Sequence, residues 1–402
     1  MTKILIMSKS PIVHRSMAAV LATVLKQYPI VSITGPRQSG KTTLCHLMGH
    51  GYKYVNLEIQ ENRQFASQDP GQFLEQYQNG VILDEVQAVP ELFPYLQYLT
   101  DKRQRKGEYI LSGSQNFLLL EKISQSLAGR VAVFSLLPFS LKELSPYLSA
   151  SQKKWESLCL RGFYPRLFAN RKMDAGIFYK SYFQTYIQRD VRQIISVKDN
   201  RLFQQFIRLC ANRVGTILNA NDIGVKLGID GKTVTRWLSV LEASYIIYLL
   251  PAYYENLDKR VVKKPKIYFY DTGLLCFLLG IKSEAGLTSH SMMGSIFENF
   301  IITECKKDYY NKGEEPELYF WQDTNQREID LILDKKSVVQ LFEIKSGKTP
   351  LAYFFKNLSS FKLLAKEKGK KVKSHVVYGG NESFKREGHE LFSWTYLLEK
   401  QL

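Results

Sequence analysis

Residues Gly35-Pro36-Arg37-Gln38-Ser39-Gly40-Lys41-Thr42-Thr43 follow the spacing G-x-x-x-x-G-K-[ST]. A loop of this kind curls backbone N–H groups around phosphate oxygens, and a helix beginning at its end adds a favourable dipole. Lys41 is placed to reach the β- and γ-phosphates of a nucleotide, and Thr42 to set its hydroxyl on Mg2+. The plainer alternative is a glycine turn before a helix. Downstream, the apolar run Val81-Ile82-Leu83 ends in Asp84 and Glu85. Asp84 is expected to hold Mg2+ through water, and Glu85 to polarise the attacking water. Ser114, after the apolar run Tyr109-Ile110-Leu111, is placed to sense the γ-phosphate or that water. The chemistry implied is hydrolysis of a phosphoanhydride.

A second constellation lies near the other end. Glu343 and Lys345 are two apart in an apolar run, so on a strand both side chains point to one face. Asp330 lies on the preceding run, Arg327 to Leu333, which forms a hairpin with Val338 to Lys345 around the polar turn Asp334 to Ser337, and Glu298 sits on a preceding helical stretch. Three carboxylates and a lysine are what metal-assisted phosphodiester hydrolysis requires: Glu298, Asp330 and Glu343 hold Mg2+, and Lys345 orients or activates water. The alternative is a solvated helix position, a strand-end charge and a cross-strand ion pair worth little.

The elements that must position these groups can be read from apolar periodicity. Val13 to Leu25 is helical, Ile30 to Ile33 is the strand entering the glycine loop, and Leu44 to Met48 continues the helix after it. In a parallel sheet, ligands sit at the carboxyl ends of strands, where Asp84 and Glu85 fall. Arg130 ends a helix before the strand Val131 to Phe134. It reads equally as an arginine finger for a neighbouring subunit's site and as a cation favoured by a helix C-terminus. From Trp155 to Arg208 the pattern is helical, and Tyr179, Tyr182, Phe183, Tyr186 and Ile187 form a stripe expected to be core.

Between Asn219 and Leu241 the pattern is a capped short helix, a glycine turn and an amphipathic helix. Val234, Trp237, Leu238 and Leu241 face inward; Lys232, Thr235, Arg236 and Ser239 face outward. Two β segments follow, Tyr245 to Leu250 and Ile267 to Tyr270, with Lys259, Arg260, Lys263, Lys264 and Lys266 between or beside them. That is a winged helix-turn-helix with a basic recognition helix and wing, suited to DNA phosphates through Lys232, Thr235, Arg236, Lys263 and Lys264. Winged helices also serve as protein–protein modules.

The segments GPRQSGKTT, VILDEVQ, YILSGSQNF and SLAGR resemble those of an uncharacterised branch of AAA-type ATPases of bacteria and archaea that carries a C-terminal region of unknown function. The resemblance continues through Gly162-Phe163-Tyr164-Pro165-Arg166 and Tyr186-Ile187-Gln188-Arg189-Asp190-Val191. It implies Mg-ATP hydrolysis and a homo-oligomer, commonly a hexameric ring. The last third resembles the PD-(D/E)XK nuclease superfamily, with Asp330 as the D and Glu343-x-Lys345 as the (D/E)XK; Ile329 stands where that motif has proline. The expected fold is α/β: an AAA-type P-loop parallel sheet over 1–146, a helical lid over 147–200, a winged helix over 201–282 and a nuclease-like α/β domain over 283–402.

Length and composition set the frame. The chain has 402 residues, enough for two or three domains, and its 45% hydrophobic and 23% charged content excludes disorder and collagen. No apolar run reaches membrane-spanning length and no signal peptide precedes the first helix, so a cytoplasmic protein without membrane contact is expected. Cys45, Cys159, Cys210, Cys276 and Cys305 are scattered without a C-x-x-C pair, which argues for buried apolar side chains over disulfides or zinc. Fifty-five Lys and Arg against 38 Asp and Glu give a net charge of +17, which attracts polyanions. The leading expectation is an ATPase coupling Mg-ATP turnover to DNA binding or processing, with or without metal-dependent cleavage. The alternative is a nucleotide-switched regulatory or interaction protein with an inactive nuclease-like domain.

Overall fold

A computed structural model describes residues 13–114, 126–191, 199–253, 264–335, 338–359, 361, 371–386, 388–400 and 402, without the side chains of 151 and 188–190. Lys259, Arg260 and Lys263 of the basic wing, Gln115 and Asn116 after Ser114, and 366–370 of the late basic run lie outside the described residues, as do the side chains of Gln188, Arg189 and Asp190.

The first unit is a five-stranded parallel sheet. Its strands are β1 (Ile30–Thr34), β2 (Lys53–Asn56), β3 (Val81–Asp84), β4 (Tyr109–Ser112) and β5 (Val131–Ser135), in the order β2-β3-β4-β1-β5. β1, β3 and β4 are buried along their whole length, as short apolar runs covered on both faces must be. Alternate side chains go to opposite cores. Val31, Ile33, Ile82 and Ile110 pack with α1 (Met17–Val24) and α2 (Lys41–Met48). Leu83, Tyr109 and Leu111 pack with α3 (Gln60–Gln68), α4 (Pro70–Glu75) and α5 (Leu92–Arg103). The register sets Ile33 and Asp84 beside Ser112, and Thr34 beside Ser135, so the polar strand ends form one row.

After α6 (Leu141–Leu144) come α7 (Trp155–Arg161), α8 (Pro165–Ala169) and α9 (Ala175–Tyr182), the last continuing into wide π-type turns over Phe183–Val191. The aromatic stripe is core: Tyr179, Tyr182, Phe183, Tyr186 and Ile187 are all buried. Gly162 explains part of the G-F-Y-P-R segment. Its φ is +70°, and a side chain there would collide with the Tyr179 hydroxyl and the Asp271 carboxylate.

The middle continues with α10 (Asn200–Ala211), α11 (Ala220–Leu227) and α12 (Gly231–Ala243), then the antiparallel pair β6 (Ile247–Leu250) and β7 (Lys266–Phe269). Asn219 caps α11, Gly228 ends it in the left-handed conformation, and Asp230 caps α12 through Thr233 N at 2.9 Å. Val234, Trp237, Leu238 and Leu241 are buried, while Lys232, Thr235, Arg236 and Ser239 are exposed.

α13 (Thr272–Leu278), α14 (Glu284–Thr288) and the long α15 (Met293–Asn311) lead into a second sheet. It contains β8 (Leu318–Gln322), β9 (Glu328–Lys335), β10 (Val338–Lys345), β11 (Lys371–Tyr378), β12 (Phe384–Arg386) and β13 (His389–Ser393), ordered β12-β13-β11-β10-β9-β8. β8, β9 and β10 are antiparallel neighbours, whereas β10, β11 and β13 run parallel. All five cysteines are buried and unpaired, as expected. No helix among the described residues is long and apolar enough to cross a membrane.

Candidate functional site

The row of polar strand ends is the first site. Gly35 leaves β1 at φ +141°, and a Cβ there would run into the carbonyl oxygen of Leu136, so the loop needs glycine. Gln38 and Glu85 also hold positive φ, at 64° and 54°. Backbone strain in non-glycine residues of this kind persists where the surroundings enforce it, often at working sites. Lys41 opens α2, and its ammonium donates to the carbonyls of Gly35 and Pro36, each at 2.9 Å. Burial pulls its pKa below the ordinary lysine value, against the opposing pull of Glu85 and Asp84. A phosphate entering the loop would replace those two carbonyls as the partner of Lys41 and strengthen its charge.

Thr42 Oγ1 donates to Asp84 Oδ2 at 2.9 Å, so the paired hydroxyl and carboxylate expected around Mg2+ are already adjacent. Their hard oxygen donors fit that ion. Asp84 also accepts from Tyr54 OH at 2.7 Å and from the Ser112 hydroxyl. Glu85 Oε2 accepts from the backbone N–H and the hydroxyl of Ser114, both at 3.1 Å, and from the Gln87 side chain. The structure therefore brings together Lys41, Thr42, Asp84, Glu85 and Ser114. Arg37 turns aside to Glu58 at 3.1 Å, its guanidinium 5.7 Å from the Tyr186 ring centre. Ser39 is buried, and Thr43 follows Thr42 in α2.

Arg130 is not in this group. Its carbonyl accepts from Ile30 N at the start of β1, the opposite end of the strand from the loop, roughly 13 Å away by strand rise. Its guanidinium forms a two-pronged pair with Asp101 at 2.6 and 2.8 Å. Tyr54 and Gln87 were not found from the sequence. Tyr54 sits on the edge strand in a polar context, and nothing in its spacing marks it.

A tyrosine from the middle unit also reaches this row. Tyr245, at φ +55°, places its hydroxyl 2.8 Å from both Thr34 Oγ1 and Ser135 Oγ. Thr34 immediately precedes Gly35, so the segment after α12 touches the root of the phosphate loop. We expect Tyr245→Phe to lower stability by about 1–2 kcal/mol, since the buried Thr34 hydroxyl and the half-buried Ser135 hydroxyl lose a shared partner; urea unfolding checks this.

The second constellation is rearranged relative to expectation. Lys345 pairs with Asp330 at 3.0 Å and with Glu343, and Asp330 also accepts from Ile344 N at 2.7 Å. These three residues meet as expected. The carboxylate group within metal-sharing distance is a different trio, however: Glu298, Glu328 and Asp330 offer oxygens all within 4.8 Å of one another. Glu328 takes the place expected for Glu343. The difference arises because Glu343 lies on β10 against Lys345, whereas Glu328 and Asp330 are two apart on β9 and share a face.

Lys266 of β7, almost fully buried, sends its ammonium to Glu328 and, at 3.3 Å, to Glu298. Tyr268 OH also donates to Glu298. Burial pushes Glu298 up to about 7 and Glu343 up to about 8, in both cases helped by Asp330. Lys266 stays well above the ordinary lysine range: Glu298, Glu328 and Asp330 outweigh its burial. The signal for Glu328 was in the sequence, two residues before Asp330; Lys266 was visible only as one of a basic run. On α12, Lys232 and Arg236 are exposed a turn apart, and Lys264 is exposed just before β7.

Family models put these sites in context. One described as an AAA domain matches residues 27–145, and two described as domains of unknown function, DUF8612 and DUF4143, match 152–285 and 293–397. An uncharacterized protein of Mycobacterium tuberculosis strain H37Rv is 30% identical over 340 residues, covering 84% of this chain and 75% of that protein. The chain belongs to this AAA-type ATPase family. The AAA domain holds the whole phosphate-loop row, and DUF4143 holds the acidic trio with Glu343 and Lys345. An uncharacterized protein of Haemophilus influenzae strain Rd is 22% identical over 282 residues, 62% of this chain and 69% of that protein. Among solved structures, the Walker-type ATPase of Pyrococcus abyssi is similar at 16% identity and a TM-score of 0.43, over 67% of this chain and 96% of that one. AMPPCP-bound DnaA from Aquifex aeolicus is similar at 16% identity and a TM-score of 0.26, over 56% and 85%.

Proposed function

We propose that the protein hydrolyses Mg-ATP at the row of strand ends in its AAA domain and uses the nucleotide state to change how its middle and C-terminal units engage DNA. The observation that carries the reading is the convergence of Lys41, Thr42 against Asp84, and Glu85 against Ser114 on one sheet end. The loop and Lys41 bind the phosphates, Thr42 and Asp84 hold Mg2+, which supplies charge neutralisation when bound, and Glu85 takes the proton of the attacking water. Ser114 holds Glu85 in position. Arg166, exposed next to Pro165, lies on the helix start that abuts the loop: a Cβ on Gly40 would sit 3.6 Å from Pro165 Cγ. It is the candidate for a second phosphate-contacting arginine. Arg130 cannot meet its own loop, so a finger role for it requires a second copy, as in the ring that AAA kinship implies.

DNA is the partner that the charge favours. α11, α12 and the pair β6 and β7 make a winged-helix arrangement, with Lys232, Thr235 and Arg236 outward and Lys264 alongside. Replacing Lys232 and Arg236 together by alanine should weaken DNA binding and flatten its salt dependence by a slope of about 2, one unit for each phosphate left without its cation. Fluorescence titrations at two salt concentrations read this out, and unchanged binding would place the DNA surface elsewhere. ATP turnover with single-stranded, duplex and branched DNA tests the proposal as a whole: stimulation by one form supports coupling, and turnover indifferent to all of them speaks against it.

A second reading, a nucleotide-switched regulatory protein whose nuclease-like unit does not cut, is favoured by one observation: the ammonium of Lys266 among the carboxylates that would otherwise hold a cleavage metal.

A further inference from the structure

The trio Glu298, Glu328 and Asp330 comes from two elements, α15 and β9, and its oxygens converge to within 4.8 Å. Three buried or half-buried carboxylates at that spacing repel one another strongly unless a cation sits among them. The cation here belongs to the chain. Lys266 lies on β7, an element of the middle unit, and is 1% exposed. Its ammonium bonds Glu328 and Glu298, and it lies 5.3 Å from the ring centre of Phe320 on β8.

The strand that carries Lys266 is pinned in place. Asn299, one residue along α15 from Glu298, donates to Phe269 O at 3.0 Å and accepts from Phe269 N at 2.7 Å, tying β7 to the same helix that supplies Glu298. Thr303 adds a further bond to Phe269 O at 3.2 Å. The ammonium is thus held by backbone anchoring as well as by charge. Lys345 pairs with Asp330, the third member of the trio, and with Glu343.

We infer that Lys266 is the resident cation of the C-terminal acidic cluster, supplied in cis by the middle unit, and that it excludes divalent metal from that cluster. The cluster joins two units of the chain through charge and works without a metal ion. Removing the ammonium leaves three converging carboxylates of which, among the described residues, only Asp330 keeps a paired cation, Lys345, and the ligand class of such a site is a hard divalent cation. The inference does not depend on ATP hydrolysis or on DNA binding.

The test is Mn2+ binding by the full chain without nucleotide, read by electron paramagnetic resonance. Any ion held at Asp84 is common to all variants and cancels in the comparison. Wild type and Glu298→Gln should bind Mn2+ alike. Lys266→Met should gain a site binding at least about tenfold tighter than any in wild type, because Glu298 and Glu328 have lost their counter-ion, and Lys266→Met with Glu298→Gln should lose it again. Lys266→Arg, which keeps a cation in place, should gain nothing. Wild-type binding that disappears in Glu298→Gln or Glu328→Gln would overturn the inference, and so would a folded Lys266→Met that gains no site. If Lys266→Met does not fold, the comparison of wild type with Glu298→Gln and Glu328→Gln decides alone: equal binding upholds the inference, and loss refutes it.

Discussion

Lys41→Ala should reduce ATP turnover at least 100-fold, the scale of losing one preorganised donor to developing phosphate charge. The ammonium is buried and tethered to Gly35 O and Pro36 O, so it is already aimed into the loop before any nucleotide arrives. Methyl in its place removes the positive charge seated inside the loop, and the adjacent Arg37 is turned toward Glu58. The fold should survive, because Lys41 helps to close a loop and adds nothing to either apolar core. Two readouts separate the cases. Phosphate release should collapse, and the rise in thermal midpoint given by saturating nucleotide should shrink, because stabilisation by a ligand follows its affinity. Turnover retained within a few-fold would remove the loop from the chemistry.

Glu85→Gln should leave nucleotide binding nearly intact and lower kcat by about 10²–10⁴, the contribution of a positioned general base. Glutamine keeps an oxygen acceptor for Ser114 N and Oγ, so the local geometry is preserved while the basic oxygen is lost. A matching fall in kcat with little change in KM marks a group acting in the transition state. The variant also becomes a trap for the ATP-bound state. If KM rises and kcat holds, Glu85 contributes to binding and the base must be sought elsewhere.

The local half of the first site could be read from sequence because its parts are contiguous. The loop, the strand-end pair Asp84-Glu85 and Ser114 each follow an apolar run, and a parallel sheet brings such run ends together. Tyr54, Gln87 and Tyr245 escaped because a tyrosine or glutamine that completes a hydrogen-bond set leaves no periodic trace. Tyr245 in particular acts from more than 200 residues downstream of Thr34, a separation that only tertiary packing bridges. In the middle, four apolar residues at helical spacing fixed the buried face of α12. The C-terminal cluster was half legible: E-x-K alternation correctly placed Glu343 and Lys345 on one face, and the same rule applied to Glu328 and Asp330 would have found the fourth acid. Lys266 was hidden by composition. In a chain of net charge +17, one lysine among several reads as surface charge, and nothing short of the packed structure distinguishes the buried one.

The coupling between nucleotide and DNA is the central claim, and DNA affinity in defined nucleotide states tests it most directly. Glu85→Gln loaded with Mg-ATP and wild type loaded with Mg-ADP should differ in affinity for the preferred DNA form by about 5–150-fold, the range of ordinary coupling between two sites. Tyr245→Phe, which cuts the link between the middle unit and Thr34, should narrow that difference. Equal affinities in the two states, at a salt concentration where binding is measurable, would contradict the account.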